Sequence, residues 1–431
     1  MSKDTINIGV IGLGTIGSGV VTILTESQEN LSKRAAKQVK LLKAADRDTS
    51  RLKEVTGLTD EQFTDNADDI INDPEIDIVV EVIGGVNPAR QFIEQSLKNG
   101  KHVVTSNKEV IAKHGQEFIQ LANENNVNVY YEAAVGGGIP IIQGIKNCLS
   151  ANDTKEVFGI MNGTTNYILS KMYAEGADFD AVLKEAQDLG FAEADPTSDV
   201  DGYDVAYKLA ILGSIAFNTH FKYEDIYFEG IRNISADDIK IAKSLGYVIK
   251  LVAIGVAHED ERVELRVHPA MIEENHPLAN VNGSFNAVFV KGNYVDDTMF
   301  YGHGAGELPT ASAVVGDIMD IAMQSELKSS HPSMNTNFTE KKVVPIGEVT
   351  SEYCFSLQVK DETGVLAAVT RACSDAGVSI ESIQQKKPED GLAELIIITH
   401  EVKESAMQEA LETIKGNDSV VSLNSFIRVG L

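Results

Sequence analysis

The chain has 431 residues, 43% hydrophobic and 23% charged, the balance of a folded protein, and at roughly 150 residues per domain its length suggests about three domains. With 37 basic against 64 acidic residues the net charge is -27, which repels phosphate backbones and anionic surfaces and argues against a nucleic-acid or membrane-surface partner. Three cysteines without a CxxC pair (Cys148, Cys354, Cys373) and nine histidines without HxxxH spacing point to neither a disulfide framework nor a zinc site.

In chain order, INIGVIGL (6–13) reads as a strand ending in a glycine turn, and Val20, Val21, Ile23 and Leu24 mark the helix that follows. Further apolar runs at VKLLKAAD (39–46), IDIVVEVIG (76–84), HVVTS (102–106) and VNVYYEAAV (127–135) read as strands. Helical patterns, ARQFIEQSLKNG and GQEFIQLANENN, separate the last three. Strands alternating with helices predict a parallel sheet covered on both faces, a Rossmann-like nucleotide-binding domain over 1–148. Its first turn, Gly12-Leu13-Gly14-Thr15-Ile16-Gly17, fits GxGxxG between strand and helix. There Gly12 permits the tight turn, Gly14 lets backbone approach a pyrophosphate, and Gly17 lets the helix pack on the strand. The second strand ends in Asp46-Arg47. A carboxylate there suits a free ribose 2'-hydroxyl and an arginine a 2'-phosphate, so NAD and NADP both remain open. The fourth strand ends in Thr105-Ser106-Asn107-Lys108-Glu109, at the carboxyl edge where open α/β sheets bind ligands. The amino-terminal stretch has no signal-peptide pattern and no apolar run reaches about twenty residues, so a cytoplasmic protein is expected.

Residues 149–328 mix helices with strand-like runs, YVIKLVAIGVA and VELRVHPAMI, and are read as an α+β substrate and dimerisation domain whose return helix, about 304–324, packs on the first domain. In DLGFAEADPTSDVDGYDVAYKLAIL (188–212), Val205, Leu209, Leu212 and Ala216 lie on one helical stripe, while Asp204 and Lys208 lie one turn apart. As a solvated i,i+4 pair they would contribute only a few tenths of a kcal/mol. The loop before them carries Glu193, Asp195, Asp199 and Asp201, a density of negative charge suited to an ammonium-bearing substrate. A polar linker is expected over 329–349. Residues 350–431 then follow a strand-helix-strand-strand-helix-strand order of the ferredoxin-like kind.

GLGTIGSGV, SNKE, YYEAAVGGGIP, MNGTTNYIL, GFAEADPTSDVDGYDVAYKLAIL and YGHGAGELPTASAVVGD occur in this order over residues 9–317, and together they closely resemble homoserine dehydrogenase. The tail VKDETGVLAAVTRACSDAGVSIESIQQ looks like an ACT domain, so the resemblance covers nearly the whole chain. It implies a monofunctional member, without an aspartate kinase portion, that interconverts L-aspartate 4-semialdehyde and L-homoserine in threonine, methionine and isoleucine biosynthesis. By motif, Lys208 matches the proton donor and Lys108 a second active-site lysine. Glu193, Asp199 and Asp204 match substrate contacts. Gly12, Gly14, Thr15, Ile16, Gly17, Asp46, Arg47, Ser106, Lys108, Gly190 and Gly306 line the expected NAD or NADP site. Glu132, Val135, Gly137 and Ile139 match a monovalent cation site, typically Na+. The resemblance further implies a homodimer or homotetramer, with an ACT-like domain that binds threonine or serves only in assembly. Two rivals are a non-catalytic NAD-sensing protein, which has no need of Lys108, Glu193, Asp204 and Lys208 together, and a dehydrogenase for another amino-acid aldehyde.

Overall fold

The computed structural model describes residues 4–50, 58–324, 339–389 and 391–431. The chain divides into two compact units, one of Met1–Val157, Tyr207–Asp225 and Phe285–Glu340, the other of Phe158–Ala206, Ile226–Ser284 and Lys341–Leu431.

In the first unit, strands Thr5–Ile11, Gln38–Ala45, Phe63–Thr64, Ile78–Glu81, His102–Thr105 and Val129–Tyr130 form one sheet. Numbered in that order they stand 3-2-1-4-5-6, and every pairing is parallel. The apolar runs follow from burial on both faces: Ile8, Val10, Val80 and Val104 are fully buried. Helix Glu307–Gln324 packs on helix Thr15–Glu26 so closely that a Cβ on Gly19 would lie 3.0 Å from the Ala311 methyl. Because the strand order reverses beside the first strand, a crevice opens at the carboxyl ends of the first and fourth strands. The strand expected over 127–135 stops at Tyr130, and Glu132–Ala134 form a 3-10 turn instead. There the Glu132 amide leaves the ladder and donates to Asp317 Oδ2 at 2.9 Å, a partner 185 positions away in the chain. The unit also holds an antiparallel hairpin of Phe285–Gly292 and Asp296–His303.

The second unit is built on long antiparallel strands Tyr247–Ala257 and Arg262–Glu273. Residues Ala270 and Met271 of the latter pair in parallel with Arg428 and Val429 of strand Val420–Val429, which continues the sheet through Thr350–Lys360, Leu392–Thr399 and Ile380–Glu389. Helices Val365–Asp375 and Glu404–Lys415 cover this carboxyl-terminal part, and its core gathers Tyr353, Phe355, Leu357, Ile397, Met407 and Leu411. The element order is the expected ferredoxin-like one. Within the otherwise apolar strand Tyr247–Ala257, Lys250 is fully buried, and its Nζ donates to Val281 O at 2.7 Å and Asn166 Oδ1 at 3.0 Å. Burial lowers its pKa to about 7.

Of the expected linker, residues 329–338 lie outside the described residues, while Lys342–Val343 pairs with strand Arg262–Glu273. Among the described residues no helix is long and apolar enough to cross a membrane.

Candidate active site

The glycine turn of the first unit has the shape its sequence requires. Gly12 has φ +102° and a Cβ there would stand 2.8 Å from Ile83 Cγ2. On Gly17 a Cβ would fall 1.8 Å from the Gly12 carbonyl oxygen, whereas around Gly14 nothing lies within 4 Å. Helix Thr15–Glu26 begins at Gly14 with no side-chain cap and no acidic residue in its first turn, so its N–H groups and positive dipole end are left to an anion. Thr15 is exposed and Ile16 half-buried at this opening. Asp46 is fixed by two amides, Leu13 N at 2.7 Å and Asp48 N at 2.9 Å, which ties the second strand's end to the turn, while Arg47 is exposed. Gly12, Gly14, Asp46, Arg47, Val82 and Ile83 share in lining a cavity of about 470 Å³. A dinucleotide fits this set: an open glycine and bare helix end for pyrophosphate, and a held carboxylate for a ribose.

At the ends of the fourth and fifth strands sits a network not anticipated from the sequence. Glu81 is fully buried. Its carboxylate accepts from the Thr105 hydroxyl at 2.8 Å and from Ile83 N at 2.9 Å. Burial raises its pKa against those bonds. Thr105 Oγ1 accepts from Asn107 N at 3.0 Å, and Asn107 Nδ2 donates to Gly85 O at 2.6 Å. Asn107 also caps helix Lys108–Glu124 by accepting from Val110 N at 3.2 Å. Lys108 is therefore the first residue of a helix whose start is held to the neighbouring strand, with Ser106 half-buried beside it. Further along, Lys113 Nζ stands 5.3 Å from the ring centre of Tyr207, so the helix of Lys108 neighbours the residue that precedes Lys208.

The stretch from Glu132 to Ile139 forms a tight turn. Gly137 (φ +53°) has the Gly304 carbonyl oxygen 2.5 Å from where its Cβ would be, and Gly138 N donates to His303 O at 3.0 Å. Both Glu132 carboxylate oxygens are taken, by Ile142 N at 2.8 Å and Gln143 N at 2.7 Å, and burial pushes its pKa up to about 7. Within the turn Glu132 O accepts from Val135 N at 3.3 Å and Ile139 O from Ile141 N at 2.8 Å; backbone carbonyls are hard oxygen donors of the kind an alkali or alkaline-earth ion takes. Among the described residues no group of three or more His, Cys, Asp or Glu side chains is arranged to hold a metal.

In the second unit the acidic loop is organised by Asn162, a residue not singled out from the sequence. Asn162 caps helix Gly163–Glu175, accepting from Thr165 N at 2.8 Å. Its Nδ2 donates to Asp199 Oδ1 at 2.7 Å and Asp204 Oδ2 at 2.9 Å. It is polar, not apolar, so hydrophobic periodicity passes over it; the cap position before GTTNYIL is the one signal that marks it. Glu193 is exposed, and its carbonyl accepts from Gln187 Nε2 at 3.1 Å. Helix Tyr203–Ala216 carries Asp204, which belongs to this unit, and Lys208, which belongs to the first; they are 1% and 8% exposed, so the surface-pair reading fails. Buried charge at this spacing is expensive unless it is paired or hydrogen-bonded. Gly190 (φ +77°) and Gly306 (φ +114°) both occupy left-handed conformations that a side chain would strain.

A family model described as homoserine dehydrogenase matches residues 140–319, one described as homoserine dehydrogenase, NAD binding domain, matches 12–132, and one for the ACT domain matches 355–418. A homoserine dehydrogenase of Synechocystis sp. is 45% identical, with 99% of each chain covered. The crystal structure of a homoserine dehydrogenase from Thiobacillus denitrificans is similar with a TM-score of 0.94 at 41% identity, covering 99% of this chain and 98% of that one. A hyperthermophilic archaeal homoserine dehydrogenase mutant in complex with NADPH is similar with a TM-score of 0.63 at 28% identity, covering 75% of this chain and 98% of that one.

Proposed function

The chain belongs to the homoserine dehydrogenase family, and on that premise we propose that Lys208 moves the proton in a reversible NAD(P)-dependent interconversion of L-homoserine and L-aspartate 4-semialdehyde. The enzyme is an oxidoreductase acting on the CH–OH group. The bound nicotinamide supplies or accepts the hydride. Everything else is the work of this chain's residues. As hydride reaches carbon, negative charge grows on the carbonyl oxygen and must be met by a proton or a cation. Lys208 gives that proton and, in the reverse direction, takes it from the homoserine hydroxyl. Lys108 holds the oxygen, while Glu193, Asp199 and Asp204 receive the substrate's ammonium group. Gly12, Gly14, Thr15, Ile16, Gly17, Asp46, Arg47, Ser106, Lys108, Gly190 and Gly306 would hold the cofactor, and Glu132, Val135, Gly137 and Ile139, partly through backbone carbonyls, would hold a monovalent cation, typically Na+.

The burial of Asp204 and Lys208 on one helix carries this reading, because both charges are costly to bury and a cofactor sensor without chemistry does not need the two together at this place. The test is the initial rate with L-homoserine and, in separate assays, NAD and NADP, followed by absorbance of the reduced cofactor. Homoserine-dependent reduction is the expected result, and the ratio of the two rates weighs Asp46 against Arg47. Cofactor binding with no reduction would instead assign the chain to the NAD-sensing class.

We further read residues 1–148 as the nucleotide-binding domain, 149–328 as the substrate and dimerisation domain and 350–431 as the regulatory one, in a cytoplasmic homodimer or homotetramer. For the carboxyl-terminal domain we propose threonine as effector. Gly364, with φ +96°, stands where its first strand turns into its first helix. Titration calorimetry with millimolar threonine is expected to give a saturable heat and the assay a matching inhibition. Absence of both would leave the domain a role in assembly alone.

A further inference from the structure

Strand Val420–Val429 closes the carboxyl-terminal domain, and Arg428 near its end is 2% exposed. A buried guanidinium is tolerated only when its donors are satisfied by well-placed acceptors. Arg428 has two carboxylates: Nε donates to Glu404 Oε2 at 2.9 Å and Nη1 to Glu229 Oε1 at 3.0 Å. Glu404 belongs to the same domain, at the start of helix Glu404–Lys415, and is steadied by the Tyr353 hydroxyl at 2.8 Å. Glu229 belongs to a stretch nearly 200 residues earlier, just after Tyr227–Phe228, whose Tyr227 ring lies 5.3 Å from the Arg428 guanidinium. Arg428 thus joins the last strand to the segment 227–232.

That segment is the wall behind the acidic loop. Ile231 N donates to Val200 O at 2.8 Å. A Cβ on Gly230 would lie 2.0 Å from the Val200 carbonyl oxygen, and one on Gly202 3.1 Å from the Glu229 carbonyl oxygen. The two backbones touch with no room for side chains, so a shift of one moves the other. Arg232 adds a bond from Nε to Asp201. Asp199 and Asp204 lie on either side of this contact in the chain, both held by Asn162.

We infer that Arg428, acting through Glu229, is a positioning residue that holds the segment 197–204, helical turn Thr197–Val200 and the start of helix Tyr203–Ala216, in the shape that binds substrate. The inference rests on the reading of Asp199 and Asp204 as substrate contacts. It gives the carboxyl-terminal domain a part in substrate affinity with no effector bound. Any ligand that displaced strand Val420–Val429 would also act on the loop through the same clamp.

The experiment is steady-state kinetics and hydrogen–deuterium exchange on the full chain, comparing Glu229→Gln, Arg428→Lys and Asp199→Asn with the parent. The Glu229 side chain is 40% exposed, so Glu229→Gln retains the fold while weakening a charge-assisted bond. The expected result for Glu229→Gln is a three- to tenfold rise in KM for L-homoserine, roughly the net weight of one ordinary hydrogen bond, since glutamine keeps the contact but loses its charge. The KM for the cofactor and kcat should stay within about twofold, and amide exchange over 197–204 should quicken. Arg428→Lys should give the same split, because a lysine cannot serve both carboxylates in the fork geometry. The clamp is overturned if Asp199→Asn raises KM while Glu229→Gln changes neither KM nor exchange over 197–204. It is equally overturned if the KM values for homoserine and cofactor rise together. If Asp199→Asn leaves KM for homoserine unchanged, the substrate reading of the loop fails instead, and the clamp's role in affinity fails with it.

Discussion

Lys208→Ala is expected to lower kcat at least about 10²-fold in both directions while the cofactor still binds, since a positioned general acid typically supplies 10²- to 10⁴-fold. That is about 2.7 kcal/mol or more of lost transition-state stabilisation. The expectation follows from where the side chain sits. Lys208 is 8% exposed on the helix that also carries the buried Asp204, so its side chain does not lie out in solvent as a surface lysine does. Stopped assays with homoserine and with the semialdehyde, together with a fluorescence titration of the reduced cofactor, separate the possibilities. Retention of more than about a tenth of the turnover would remove Lys208 from the proton-transfer role. A loss of cofactor binding would show that the substitution damaged the fold rather than the chemistry.

Gly17→Ala is expected to impair cofactor binding at least tenfold and to lower the thermal midpoint. The new methyl would have to fit where the Gly12 carbonyl oxygen lies 1.8 Å away, with Val82 Cγ2 a further obstacle at 3.2 Å. A backbone oxygen cannot rotate aside as a flexible side chain can. The helix start must therefore move, and with it the bare N–H groups after Gly14 that face the pyrophosphate. Overpacking of this kind typically costs about 1–3 kcal/mol of stability. Gly14→Ala is the informative contrast, because nothing stands within 4 Å of its Cβ position. It should fold normally and lose affinity only where the pyrophosphate comes close. The chain has no tryptophan, so fluorescence of the reduced cofactor can be read without interference, and scanning calorimetry gives the midpoint. Equal midpoints for Gly17→Ala and the parent would mean that the turn is looser than its contacts imply.

Periodicity and turn chemistry were enough to read the parallel sheet, the glycine turn and the ferredoxin-like tail, because each is a local pattern. A strand buried on both faces must be apolar along most of its length, as over Ile78, Val79 and Val80 before the buried Glu81, and a turn with positive φ and a facing carbonyl oxygen must be glycine, as at Gly12. The short strand Phe63–Thr64 escaped notice because two residues carry no period. The early end of the sixth strand escaped for another reason, since Asp317, which takes the Glu132 amide, is 185 residues away.

The sequence by itself determined which chemical groups were available and how they were spaced: GxGxxG after a strand, Lys108 at a helix start, and Asp204 and Lys208 four apart. Tertiary structure alone decided what those groups experience. The same i,i+4 spacing describes a solvated pair or a buried one, and only packing makes Asp204 and Lys208 1% and 8% exposed. The groups that orient the site come from far along the chain. Asn162 reaches Asp204 across 42 positions, and Glu81 reaches Thr105 across 24. A hydrogen bond acts over about 3 Å of space whatever the separation in sequence, so no local pattern records it until the fold has brought its two ends together.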